Sequence, residues 1–111
     1  MSNNQQRVIR SVRIVLDEEK ILREGKYRLD DLYAYLDEVA KEEGLIKKDK
    51  HTYVGRGDDK DLSRIGNFTV LEVVKNEAIT RNVKEWIWLM NGIPYTNVVE
   101  SAKKHKHGVW E

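Results

Sequence analysis

Residues able to do chemistry fall in a few places along the chain. Gly55-Arg56-Gly57-Asp58 has glycines that invite a phosphate-loop reading, but no Gly-Lys-Ser/Thr follows and the third glycine of a dinucleotide turn is missing. Turn chemistry accounts for the stretch better, with Asp58 or Asp59 capping the next helix. Asp58, Asp59 and Asp61 lack the alternating acids, central glycine and terminal glutamate of a calcium loop. His105 and His107 are two residues apart, a spacing that does not share a helix face, so chelation there needs an extended tail. His51 forms no dyad or triad with its sequence neighbours. Cysteine is absent, which removes disulfides, thiolate zinc sites and cysteine nucleophiles together. There is no Gly-x-Ser-x-Gly elbow and no His-Glu-x-x-His. A non-enzymatic protein with no metal and no cofactor is the expectation. A carboxylate-dependent enzyme is the third reading, since two acids converging in space leave no spacing signal.

Two surfaces point to binding. The stretch from Leu29 to Glu43 carries Asp30, Asp31, Asp37, Glu38 and Glu42, with Lys41 the one base among them. At about 100° per residue, Asp31, Glu38 and Glu42 form a stripe opposite the leucine face. Solubility is one use of such a stripe. Docking on a basic protein partner is the other. Tyr33 and Tyr35 flank the leucine face and add contact area. The second surface is the Val83–Met90 stretch, where Trp86 and Trp88 share one side with Lys84. With helices packed over it, this pair belongs to the core. Left open beside Arg81 and Lys84, it makes a stacking platform for nucleic acid. Arg7, Arg10 and Arg13 would then supply charge from a neighbouring strand.

The elements that must position these residues are legible in part. Arg7 to Leu16 is β-branched, with Val8, Val12, Ile14 and Leu16 on one face and Ile9 and Val15 on the other, which predicts a strand. Asp17 opens a short helix that Gly25 closes. Leu29, Leu32, Leu36, Val39 and Ala40 recur at helical spacing, and Gly44-Leu45 has the form of a Schellman ending. Lys47 to Lys50 reads as a charged connection, and His51 to Val54 as a short strand. Asp61 to Val74 fits a helix by Leu62, Ile65 and Val73, against a β-branched run from Phe68 to Val74 that suits a strand. Val83 to Met90 is a strand, Asn91-Gly92 a turn, and Asn97 with Glu100 a capping box for a last helix. Pro94 bars a central strand after the turn.

The chain has 111 residues, 40% of them hydrophobic and 35% charged, with formal net charge +1. That suffices for one core and gives no global attraction to nucleic acid or membrane. The expected fold is α+β: a small antiparallel sheet of about three strands packed with two to four helices in a single layer pair. Residues 1–6 are a flexible N-terminus, 7–102 one domain and 103–111 a basic tail. No apolar run approaches a membrane span and the N-terminus has no secretory pattern, so the expected setting is cytoplasmic. The favoured function is a small regulator or inhibitor acting by protein–protein contact through the acidic helix face. Inhibitors encoded by phages or mobile elements, blocking nucleic-acid-handling enzymes, share this profile. The runner-up is a nucleic-acid-binding accessory protein using Arg81, Lys84, Trp86, Trp88 and the basic tail.

Overall fold

A computed structural model describes residues 8–104. The β-branched run near the N-terminus becomes strand β1, Arg10–Leu16. Its alternation buries Val12, Ile14 and Leu16 to 1% exposure or less, and this makes it the middle of the sheet. Asp17 caps helix α1, Glu18–Glu24, by accepting a hydrogen bond from the Lys20 backbone N–H. Helix α2, Leu29–Glu42, follows. It stops where expected: Gly44 is left-handed at φ 84°, and the Leu45 N–H returns to the Ala40 carbonyl. Leu45 is buried beyond that turn.

Strands β2, Ile46–Asp49, and β3, Thr52–Val54, form a hairpin. Asp61 to Lys75 is helical throughout: α3, Asp61–Gly66, runs into a π-helical turn, Asn67–Glu72, and a 3-10 turn, Val73–Lys75. The helical periodicity of Ile65, Phe68 and Val73, all fully buried, prevails over the β-branched composition. Short helix α4, Glu77–Thr80, leads to β4, Val83–Met90. Asn91 and Gly92, with φ of 53° and 79°, turn the chain into β5, Ile93–Asn97. Asn97 then caps helix α5, Val98–Lys104, through the Glu100 N–H.

The sheet is antiparallel with order β2-β3-β1-β4-β5. The α+β class is as expected, but the described residues form five strands rather than about three and five α-helices rather than at most four. The two strands beyond the expectation are both edges. β2 has every residue exposed and three of its four residues charged, so it carries no buried alternation to read. β5 contains Pro94, which an edge strand tolerates because one side of its backbone needs no partner. The described strand β1 also begins at Arg10 rather than Arg7.

The two faces of the sheet differ. Val12, Ile14, Leu16, Tyr53 and Trp86 join one core with Ile21 of α1, Leu36 and Val39 of α2, Ile65, Phe68, Val73, Ile79 and Val98. Each fully buried aliphatic side chain contributes about 1.5–3 kcal/mol. Val15, Val54, Ile87 and Leu89 alternate with these residues and lie outside that core. Among the described residues, the helices therefore cover one face and leave the other open. The fold is a two-layer arrangement.

Candidate partner-binding faces

The acidic residues of α2 divide into two groups. Asp30, Asp31, Glu38 and Glu42 are exposed. Asp31 reaches the Arg28 guanidinium only at 4.0 Å, with both side chains solvent-facing. Asp30, Glu38 and Glu42 have no ion pair among the described residues. Asp37 sits about 120° round the helix from the stripe of Asp31, Glu38 and Glu42, near the angle of Asp30, and is taken up by the sheet. Its Oδ2 accepts from Lys47 Nζ at 2.9 Å and its Oδ1 from the Tyr53 hydroxyl at 2.6 Å. The structure thus separates Asp37 from the other four. It ties α2 to the hairpin of β2 and β3. Burial and the bond to Asp37 push the Tyr53 phenol well above the ordinary tyrosine range.

The aromatic residues face the helices. Trp86 is fully buried opposite Ile14. Trp88 is half-buried, donates from Nε1 to Thr69 Oγ1 at 3.0 Å and lies 6.3 Å from the Tyr95 ring. The π-helical turn places Thr69 to receive that bond. Lys84 is exposed where the β1–β4 register shifts. Arg81 pairs with Glu77 at 2.8 Å, and its carbonyl accepts from Lys20 Nζ. Arg81, Lys84, Trp86 and Trp88 are therefore not gathered on one accessible surface. Stacking a base on Trp86 would require opening the core. The basic tail from His105 onward lies outside the described residues.

The Gly55–Asp61 loop is an internal clamp. The Asp61 carboxylate, 1% exposed, accepts from the backbone N–H groups of Arg56 and Gly57 at 2.8 and 2.7 Å and from Arg64 Nη1 at 2.6 Å. The same guanidinium holds Asp58. Arg56 Nε reaches back to the Gly44 carbonyl at 2.7 Å, fastening the end of α2. A Cβ on Gly55 would run into the Asp61 carboxylate. Burial pushes the Asp61 carboxyl up, but the two N–H groups and Arg64 outweigh it and hold it below the ordinary range.

A second cluster joins α1 and α2. The Tyr33 hydroxyl donates to Glu18 at 2.7 Å, and Lys50 Nζ pairs with the same carboxylate at 3.0 Å. The Tyr33 bond, then Lys50, lower the Glu18 pKa. Burial, then that bond, raise Tyr33 above the ordinary range. Asp49 and Asp58 also move down, held by the His51 N–H and by Arg64 respectively. Two surface pockets, of about 300 and 370 Å³, have Glu24 and Asp30 respectively as their one acidic lining residue. Among the described residues, no group of three His, Asp or Glu could hold a metal ion.

The open sheet face is the surface that motif reading passes over. One row across it runs Ile46, Val54, Ser11, Leu89 and Pro94, and the next runs Asp49, Thr52, Arg13, Ile87 and Asn97. Ile46 is 50% exposed and Ile9, at the end of β1, is 52% exposed. The available signal is that β4 is apolar on both faces, with Trp86 and Trp88 on one and Ile87 and Leu89 on the other. No family model matches the chain, and searches of curated proteins and of solved structures return no match.

Proposed function

We propose that the protein is a small non-enzymatic binding protein, a regulator or inhibitor that docks on a basic protein through the outer face of α2. The observation that carries this reading is the contrast among its acids. Glu18, Asp37, Asp58, Asp61, Glu77 and Glu85 are spent on internal pairs with Lys or Arg. Asp30, Asp31, Glu38 and Glu42 stay solvated on one side of a 14-residue helix. A rigid helix with unneutralised carboxylates attracts and orients a basic partner, and the attraction acts mainly on association rate and specificity. Ala34, exposed within the stripe, lets a partner approach the helix backbone closely. A nucleic-acid-handling enzyme fits this description, because its ligand groove is basic by necessity.

The test is affinity capture with the full chain against the triple variant Asp31→Lys/Glu38→Lys/Glu42→Lys, with identification of the retained protein. The reading expects a basic protein held by the wild type in low salt and lost by the variant. Equal capture by both would refute it. Salt-sensitive binding of single-stranded nucleic acid, abolished by Lys84→Ala, would favour the nucleic-acid reading instead.

A further inference from the structure

We infer that the outer face of α2 reads arginine rather than positive charge alone, with a guanidinium of the partner seated on the Tyr35 ring beside the carboxylates. The inference rests on the reading of that face as a docking surface for a basic protein, and it names the side chain the face recognises. Asp31, Tyr35, Glu38 and Glu42 fall at i, i+4, i+7 and i+11 of one helix. Neighbours three or four apart on a helix have Cβ atoms about 5–6 Å from each other, so Tyr35 touches the acids on both sides of it. At about 100° per residue, Tyr35 lies about 40° round from Asp31, where the acidic stripe meets the leucine face. Its side chain is half-buried and packs against the core, which fixes the ring at the border of the stripe.

Two observations select arginine. The first is that Tyr35 is uncommitted. The chain has five tyrosines, and the other four all have partners. Tyr27 has the Lys26 ammonium 5.5 Å from its ring centroid. Tyr33 bonds Glu18 and has Lys50 over its ring at 4.9 Å. Tyr53 bonds Asp37 and meets Phe68, and Tyr95 accepts from Arg10 and meets Trp88. Tyr35 has no hydrogen bond, ring contact or cation over its ring among the described residues. The second observation is charge. Asp31 meets Arg28 only at 4.0 Å, and Glu38 and Glu42 have no ion pair among the described residues. Lys41 lies about 80° round the helix from Asp31. The group that complements this face is therefore cationic. A guanidinium meets both demands at once, because its plane stacks on an aromatic ring while its N–H fork bonds a carboxylate bidentately. The lysine ammonium is a compact, strongly hydrated point charge that gains less from the ring and cannot fork.

Fluorescence anisotropy of two labelled alanine-based peptides, one with four arginines and one with four lysines at the same positions, tests this when each is titrated with the full chain in low salt. The expected result is at least about 5-fold tighter binding of the arginine peptide. Tyr35→Ala should cut that preference below about 2-fold and leave the lysine peptide's affinity within about 2-fold of wild type. Tyr35→Phe retains the ring and should retain the preference. Tyr35→Leu keeps an apolar contact with the core and removes the ring, so it provides the same test should Tyr35→Ala disturb folding. Equal affinity of the wild type for the two peptides overturns the inference. So does a preference that survives Tyr35→Leu or the α2 triple variant, and so does failure of both peptides to bind. None of these results decides whether α2 faces a basic protein, which the capture experiment reads separately.

Discussion

At the residue scale the acids of this chain do opposite jobs. Asp61 is the most committed, with two backbone N–H groups and Arg64 on one buried carboxylate. Asp61→Ala leaves those donors unsatisfied and should cost about 3 kcal/mol, read as a shift in the urea midpoint. Its lowered pKa also sets a pH dependence. The folded carboxylate holds its proton less tightly than the unfolded one, as Glu18 and Asp58 also do. Their stabilisation is complete above the unfolded value of about 4 and disappears as pH falls through the folded values. Urea midpoints should therefore stay level from pH 7 to about pH 5 and drop below about pH 4, with a shallower drop in Asp61→Asn. An equally steep drop in that variant would contradict the clamp. The loop character of Gly55 to Asp58 is legible in its turn residues, as is the need for a cap. Asp61 as the acceptor is not, because its partners are backbone N–H groups that only the folded loop brings to it. Asp37 is hidden for a related reason. Its partners Lys47 and Tyr53 belong to a hairpin whose outer strand carries no hydrophobic alternation.

At the scale of elements, α2 was readable to its last turn, since leucine spacing, first-turn acids and the Gly44-Leu45 ending all point the same way. The segment after Asp61 was ambiguous because its composition and its periodicity conflict. Burial of Ile65, Phe68 and Val73 along one side resolves it as a helix. The widened turn then seats Thr69 beneath Trp88. Thr69→Val removes the acceptor for the indole N–H and should lower stability by about 1 kcal/mol, with a change in tryptophan emission. The orientation of β4 could not be read in advance, because both of its faces are apolar and periodicity alone does not say which receives the helices. With Trp86 fully buried, a Trp110→Phe protein should show blue-shifted emission poorly quenched by acrylamide. Red-shifted, readily quenched emission from both remaining rings would contradict this packing.

At the scale of the whole molecule, the layers separate two surfaces. Helices cover one side of the sheet, and α2 turns its carboxylates outward from that layer. The bare side carries aliphatic residues together with Arg13, Glu85 and Asp49. The claim on which the functional reading stands is that the α2 carboxylates recognise a basic protein. The direct measurement is calorimetric titration of the captured partner with wild type and with Asp31→Lys/Glu38→Lys/Glu42→Lys, at two salt concentrations. The account predicts at least about 100-fold weaker binding by the variant and wild-type affinity that falls with salt. Equal affinity for the two proteins would contradict it.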